Sequence, residues 1–359
     1  MSFLDQMLGR QPAPMIGLDI SASSAKLVEL GMSSAGVYVL DRLASEPFEK
    51  GWIIDGQIES FDQVAATVLK LMARSGSKTR LVAMAMPQSA VITKRILLPA
   101  GLRDEELELQ VESEANQYIP FSLDDVSLDF CVIGPSPNSS ADVEVLIAAS
   151  RKERVQDRQG LAEAAGLKLV ILDLENHAAL LAISRLVAKL PQGGRDALVA
   201  LFEIGADSTS LKVLREGELL YDRDQAFGGS QLTTLISRQY GMSVDAAEQR
   251  KRSGDLPEDF ATAILAPFVD TLSQEIGRAL QYFFTSTPHH RVHYVMLAGG
   301  SAALPGLADR VTALTGFTAS VVNPFDGMKT GPAVREARVR KEASSYLTAC
   351  GLAMRRFLP

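Results

Sequence analysis

The chain has little cysteine, few aromatic residues and no long hydrophobic run. Its 359 residues include two cysteines, and 6% are aromatic. Cys131 and Cys350 form no Cys-x-x-Cys motif, which argues against a structural zinc site or a disulfide framework and favours a reducing compartment. No apolar run is long enough to span a bilayer, and the first residues do not resemble a secretory signal. We therefore expect a soluble, cytoplasmic chain that does not insert into the membrane itself.

The charge balance argues against a protein that coats nucleic acid. Lys and Arg number 36 against 43 Asp and Glu, so the formal net charge is −7. A protein that coats nucleic acid needs concentrated Lys and Arg, so we expect no nucleic-acid partner. Apolar residues make up 47% of the chain, which is typical of a globular protein with a substantial core.

Apolar strand-like segments alternate with segments of helical periodicity, which predicts an α/β fold. A Pro-Gln-Gly-Gly break at 191–194 divides the chain into two halves. The predicted units are a flexible lead at 1–14, a first lobe at 15–192 (core 15–85 and 174–192, inserted subdomain about 86–173), a second lobe at 193–343 (helical subdomain about 229–285), and a terminal helix at 344–359 that packs back on the cores.

A weak internal repeat is the most informative feature. Residues 16–27 align with 200–211 at an offset of 184, which places Asp19 over Glu203. Each copy is an apolar strand, an acid, a turn of small and hydroxylated residues, and a second strand. Consecutive amides in such a turn form an anion site, and the acid can hold a hydrated Mg²⁺. Either copy alone could be an ordinary hairpin, but the pair favours two turns that grip one polyphosphate nucleotide.

A third turn, Ala298-Gly299-Gly300-Ser301-Ala302, follows an apolar strand at 294–297 and precedes a predicted helix at 304–314. Glycine lets the backbone approach a ligand closely, so this turn is a candidate platform for an adenine ring. The chain contains no Walker loop, so its phosphate site must be of a different kind.

These three turns, in this order, resemble the actin/Hsp70/sugar-kinase superfamily, in which two similar halves close on ATP. More narrowly, the chain resembles the PilM family of type IV pilus assembly proteins, related to the cell-division protein FtsA. The motifs that carry the resemblance are residues 16–27, Gln117-Tyr118-Ile119-Pro120-Phe121, residues 148–153 and residues 351–355. It implies an actin-like, two-lobed ATPase fold of duplicated RNase H-like cores, with an inserted FtsA/PilM-type α/β subdomain.

The resemblance also implies the residues of an ATP and Mg²⁺ site. The first phosphate turn would contain Asp19, Ser21, Ser23, Ser24 and Lys26. The second would contain Gly205, Ala206, Asp207 and Ser208. The adenosine turn would contain Gly299, Gly300 and Ser301. Glu248 and Lys251 lie where relatives contact the ribose and adenine, although a surface i,i+3 ion pair is the alternative reading.

Two acids bear on catalysis. Glu175 matches the acid that orients the attacking water in hydrolysing relatives, or it simply stabilises a helix N-terminus. Glu203 stands where these families usually have Asp, and its extra methylene disturbs the strict geometry that Mg²⁺ demands. With Asp19 and Glu203 as the candidate metal ligands, through water, we expect ATP binding with at most weak hydrolysis.

The inserted subdomain carries an acidic helix, whose ordinary explanation is a solvated face. Its acids are Asp104, Glu105, Glu106, Glu108, Glu112 and Glu114. The resemblance implies that this subdomain and the first core form a groove for the N-terminal cytoplasmic tail of the membrane protein PilN. The chain would then act as a scaffold peripheral to the inner membrane, with other pilus assembly proteins as further partners and an oligomer possible.

Two other functions fit the same fold. A small-molecule kinase would need a general base beside its acceptor hydroxyl, and the first half contains no dedicated Asp motif for one. An FtsA-like filament-forming division protein normally ends in a linker and an amphipathic membrane helix. The sequence disfavours it because Arg355-Arg356-Phe357-Leu358-Pro359 follows almost directly on the last core helix.

Overall fold

The computed structural model describes residues 12–136 and 139–358. Residues 1–11, most of the predicted lead at 1–14, lie outside that range. In the described residues, six strands form the first sheet, in the order β10-β6-β1-β2-β3-β16. They are β1 (Met15–Ser21), β2 (Ser24–Met32), β3 (Tyr38–Pro47), β6 (Leu81–Met86), β10 (Lys168–Leu174) and β16 (Lys329–Thr330).

The second sheet repeats the first. Its described strands run in the order β13-β12-β11-β14-β15. They are β11 (Val199–Ile204), β12 (Thr209–Arg215), β13 (Glu218–Gln225), β14 (Tyr294–Ala298) and β15 (Ala319–Val321). In both sheets an antiparallel three-stranded meander is followed by a strand parallel to the first one. The duplication read from residues 16–27 and 200–211 therefore extends to whole sheets.

Helices connect and cover these sheets. The described α-helices of the first half are α1 (Phe61–Ser75), α2 (Asp104–Tyr118), α3 (Lys152–Ala164) and α4 (Glu175–Val187). Those of the second half are α5 (Gly229–Tyr240), α6 (Val244–Ser253), α7 (Ala266–Ser286), α8 (Leu307–Thr315), α9 (Glu336–Glu342) and α10 (Leu347–Met354). Short 3₁₀ segments at 88–90, 123–125, 191–194, 343–346 and 355–357 and a π-helical turn at 261–265 complete the helical part.

One apolar cluster joins the two sheets through α4 and α10. It includes Leu30 of the first sheet, Leu201 of the second and Cys350 of α10. Helix α10 approaches strand β1 and helix α4 closely because there is a glycine at each contact. A Cβ on Gly17 would overlap the carbonyl oxygen of Ala349, and a Cβ on Gly351 would overlap that of Ala178.

A smaller sheet forms a separate layer. It consists of β7 (Ile92–Pro99), β8 (Val126–Ser136) and β9 (Ser139–Arg151), in the order β7-β9-β8. Helix α2 covers one face, with Leu107, Val111 and Ala115 buried against it. After β9 the chain returns to the first core, because α3 packs on α1 and β10 pairs with β6. This three-stranded layer thus spans 92–151, narrower than the 86–173 assigned from the sequence.

The composition of residues 134–140 predicts a loop, but most of these residues extend a hairpin. Gly134 pairs with Glu144, and Pro135 pairs with Val143. Strand β8 is at the edge of its sheet, where a proline removes no ladder hydrogen bond. Residues 137–138 lie outside the described residues.

The second half also contributes a strand to the first sheet. Strand β16 pairs in parallel with β3 through Lys329–Val39 and Thr330–Leu40. The preceding loop is held just beyond the end of α4, where Lys189 Nζ lies 2.7 Å from Asp326 Oδ2. Among the residues that the structure describes, no helix combines the length and apolarity needed to cross a membrane.

Candidate functional site

The first candidate turn closes the β1–β2 hairpin. Asp19 lies directly opposite Lys26 in the ladder, and Lys26 Nζ is 3.3 Å from Asp19 Oδ2 and 3.0 Å from Ser21 Oγ. Ser21 in turn donates to the carbonyl of Ser24 at 3.0 Å. Within the described residues, the amides of the turn residues Ala22 and Ser23 donate no hydrogen bond. Two backbone donors and a cation thus lie beside a buried acid.

The second turn closes the β11–β12 hairpin in the same way. The opposite partner of Glu203 is Ser210, but its cation is Lys212, two residues further along β12. Lys212 Nζ lies 2.6 Å from Glu203 Oε2 and 2.8 Å from Ser210 Oγ. Burial alone would lower the pKa of Lys212, but the charge and hydrogen bond of Glu203 outweigh it and raise that pKa.

The carbonyls of the second turn hold the start of α5. Gly229 N donates to Gly205 O at 3.0 Å, and Ser230 N donates to Ala206 O at 2.8 Å. The Ser230 hydroxyl donates to Asp207 Oδ1 at 2.7 Å. The turn amides of residues 206–208, which form no hydrogen bond among the described residues, are free for a ligand.

The third turn packs against the second. Gly299 has a φ of +95°, and a Cβ there would overlap the carbonyl oxygen of Ile204. Ser301 N donates to that same carbonyl at 3.3 Å. Gly300 has no atom within 4 Å of where its Cβ would be, so this turn has open space on one side. The structure therefore brings together the two glycine-bearing turns that the sequence suggested separately.

Glu248 and Lys251 lie beside these turns and are more than a surface pair. Lys251 Nζ is 2.5 Å from Glu248 Oε2 and 2.6 Å from Thr233 Oγ1, and it lies 3.4 Å from Gly229 O. Burial would raise the pKa of Glu248, but the charge and hydrogen bond of Lys251, with bonds from Thr233 and Arg252, lower it to about 2. Both residues are thus tied to the N-terminus of α5.

Glu175, at the start of α4, is a residue on which the acids of both hairpins act. Burial, together with the carboxylates of Asp19 and Glu203, raises its pKa to about 7 against the opposing charges of Lys212 and Arg158. Because Asp19 and Glu203 act on the same carboxylate, the two hairpins face one region. Next to it, Asn176 Nδ2 donates to Gln88 of the first half at 3.0 Å and to Asp222 of the second at 2.7 Å.

Sequence reasoning missed four residues here, namely Lys212, Thr233, Asn176 and Arg158. One signal was available for Lys212, since a lysine between apolar strand residues is rarely buried unless it is paired. The other three are brought to the site by folding, and nothing in their local sequence marks them. Arg158 in particular comes from α3, which the sequence assigned to the inserted subdomain.

The site fits a polyphosphate in the chemistry of its donors. Free amides at both turns, two lysines and the partly unpaired guanidinium of Arg158 can all donate to phosphate oxygens. Over the described residues there is no group of three or more His, Cys, Asp or Glu side chains that could hold a metal alone. A metal here would need water and phosphate oxygens besides Asp19 and Glu203, as Mg²⁺ ordinarily uses.

Comparison with known proteins agrees with this geometry. The family model for type IV pilus assembly protein PilM matches residues 17–357. A solved structure of a PilM-PilN type IV pilus biogenesis complex is 30% identical, covers 96% of this chain and 99% of its own, and gives a TM-score of 0.78. The ethanolamine utilization protein EutJ of Carboxydothermus hydrogenoformans shares the fold at 16% identity, with 96% and 90% coverage and a TM-score of 0.55.

A curated relative, EutJ of Escherichia coli strain K12, is 25% identical over 107 residues. That match spans 30% of this chain and 35% of the relative's own length. Two sheets of the same topology, with paired turns over a common region, define an actin-like protein of the α/β class. The extent of the family match makes the assignment specific. The chain belongs to the PilM family of type IV pilus assembly proteins.

Proposed function

We propose that this protein binds ATP between its two sheets and acts as a scaffold in type IV pilus assembly, with the N-terminal tail of PilN as its partner. The observation that supports nucleotide binding is the shared effect of Asp19 and Glu203 on Glu175. Opposed acids and free turn amides from both hairpins suit a metal-bound triphosphate better than any neutral ligand.

Each group has a role in this proposal. The amides of both turns, the hydroxyls of Ser23 and Ser208, and Lys26 bind phosphate oxygens. Asp19 and Glu203 would hold a hydrated Mg²⁺, which would supply charge neutralisation between the acids and the phosphates. The turn at 299–301 and the pair Glu248 and Lys251 bind the adenosine part. Glu175 orients a water molecule, and any hydrolysis is weak because Glu203 is longer than the usual Asp.

Isothermal titration of ATP with Mg²⁺ into the wild-type protein and an Asp19→Ala variant tests the site. We expect affinity to fall at least about tenfold, since a charge-assisted contact contributes roughly 1.5–3 kcal/mol. Asp41→Ala is the matched control, because Asp41 also belongs to the first sheet but lies on β3. Unchanged affinity in the Asp19 variant would show that the nucleotide binds elsewhere.

The partner is proposed from the complex named in the comparison, which contains PilN. An extended tail in a groove is held by apolar anchors and a few polar contacts, and the 92–151 layer with the first core is where we expect them. A labelled tail peptide titrated with and without ATP tests this. The Asp19→Ala variant should bind the peptide but lose any effect of ATP, since that effect depends on differential affinity for two lobe arrangements.

Binding to a membrane protein's tail would place the chain at the inner membrane on its cytoplasmic side. Sedimentation with vesicles that carry PilN, compared with bare vesicles, measures this. Recovery with PilN vesicles alone is the expected result. Strong recovery with bare vesicles would favour a direct membrane interaction of the kind expected for FtsA-like proteins.

A further inference from the structure

We propose that Arg158 binds the terminal phosphate of the nucleotide, so that the protein distinguishes a nucleoside triphosphate from a diphosphate. This inference rests on the nucleotide-binding role proposed above and deepens it. It assigns a ligand to a buried cation that has no role in the fold's repeated hairpins.

Arg158 is a buried arginine with one terminal nitrogen bonded and the other unpaired. Its side chain leaves α3 and is 3% exposed. Nη2 donates to the carbonyl of Gly56 at 3.0 Å, in the turn between the short strands β4 (Ile53–Ile54) and β5 (Gln57–Ile58). Nη1 is buried without a hydrogen-bond partner among the described residues. A buried charged donor left without a partner is costly, so an oxygen from outside the protein is the natural partner.

The position of Arg158 indicates what that oxygen belongs to. Among the groups that act on its charge, Glu175 is the strongest partner and Asp19 the second. Neither carboxylate makes a hydrogen bond with Arg158 within the described chain. The contacts of Arg158 lead to the same place, because Gly56, which accepts from Arg158, packs on Pro87, and the next residue, Gln88, accepts from Asn176 at the start of α4. In the nucleotide site proposed above, this is the end where the last phosphate would lie.

The lysines of the two hairpins each have two partners within the protein. Lys26 is bonded to Asp19 and Ser21, and Lys212 is bonded to Glu203 and Ser210. Arg158 is the cation of this cluster with a buried donor free. A guanidinium also suits a phosphate better than an ammonium, because its planar fork can donate two parallel hydrogen bonds.

The β4–β5 hairpin holds Arg158 in place. Gly56, whose carbonyl accepts from Nη2, has a φ of +76°, and a Cβ there would come within 2.5 Å of Pro87. The neighbouring Arg154 donates to Gln57 of the same hairpin at 2.7 Å. Because Nη1 is buried, we expect the residues around it to shift when a phosphate oxygen binds.

The test compares affinities for ATP and ADP in wild-type protein and in Arg158→Gln, by isothermal titration with Mg²⁺. We expect a loss of about 10- to 100-fold for ATP and less than about threefold for ADP, as for removal of one charged hydrogen bond. Arg154→Gln is the matched control, since it removes a guanidinium from the same helix and hairpin. Its affinities for both nucleotides should be unchanged.

The outcomes separate this inference from the proposed function. Equal losses for ATP and ADP in Arg158→Gln, or no loss for either, would overturn the role of Arg158 alone. Failure of the wild-type protein to bind either nucleotide would overturn the proposed function itself. If Arg158→Gln does not fold, Arg158→Lys keeps the charge without the fork. It must still lower the preference for ATP over ADP by at least about threefold, and an unchanged preference would reject the proposal.

Discussion

The β1–β2 and β11–β12 hairpins have the same backbone pairing but different ion pairs. In the first hairpin Lys26 stands directly opposite Asp19, with 3.3 Å between Nζ and Oδ2. In the second, the residue opposite Glu203 is Ser210, and Lys212 from the next position on that face makes the contact at 2.6 Å. The longer carboxylate of Glu203 therefore accompanies a lysine placed two residues further along its strand. Glu203 differs from the usual Asp in a way that disfavours metal binding, but its longer side chain belongs to a buried ion pair that is built differently from the one in the first hairpin.

We expect the largest effect on the difference between the two ion pairs from substitution of Lys212. Its side chain is 5% exposed, against 12% for Lys26. We expect Lys212→Met to lower the free energy of unfolding by about 3–5 kcal/mol, because it leaves Glu203 without its partner. Chemical denaturation of this variant and of Lys26→Met measures the contrast. A loss in Lys26→Met as large as that in Lys212→Met would show that the two pairs are equivalent.

A second substitution, at Glu203, tests the comparison of the two hairpins by giving both the same acid. Glu203→Asp gives the second turn the carboxylate length of the first and moves the acid away from Lys212. We expect the rate of ATP hydrolysis to rise about tenfold with little change in ATP affinity, since turnover depends on geometry more steeply than binding does. Single-turnover assays with titrations check both quantities, and Glu203→Gln serves as the control. A rate no higher than wild type would contradict the explanation of weak hydrolysis.

The smallest expected effect is on the pH dependence of stability through Glu175, a residue on which the acids of both turns act. Its pKa of about 7 in the folded protein lies above the ordinary 4.5, so the folded state binds more protons between these values. Stability should therefore fall as pH rises from 4.5 through 7 and then level off. Glu175→Gln cannot ionise, so without nucleotide or metal it should be more stable than wild type at pH 8, by about 1–2 kcal/mol after screening by solvent.

Thermal unfolding of both proteins over this range measures the difference. It should disappear below about pH 4.5, where the wild-type carboxyl is protonated in both states. A stability difference that is constant with pH would mean that Glu175 does not sense the charges of the two turns.

Local sequence predicted the repeated elements because each hairpin is a short contiguous pattern. An apolar strand, an acid and a small-residue turn can be recognised in twelve residues, as at 16–27 and 200–211. The PilM family and the actin-like fold followed from these motifs and are confirmed. The division into lobes and the list of ligand-binding residues remain predictions.

The features that sequence missed depend on contacts between distant segments. Gly17 looks like an ordinary small residue until α10 packs on it, more than 300 residues later. Arg158 approaches Glu175 only because α3 returns to the first core after the three-stranded layer. Composition also misled at 134–140, since turn-forming residues can lie in an edge strand when their unpaired side faces outward.

Strand β16 has a mechanical consequence. The first sheet ends in a strand that belongs to the other half of the chain, so relative rotation of the halves must carry the rim of that sheet along or unzip two residue pairs. The ion pair between Lys189 and Asp326 adds a second contact between the halves. The outer margin of the first sheet at Val39 and Leu40 is therefore the part of that sheet most directly coupled to the position of the second half.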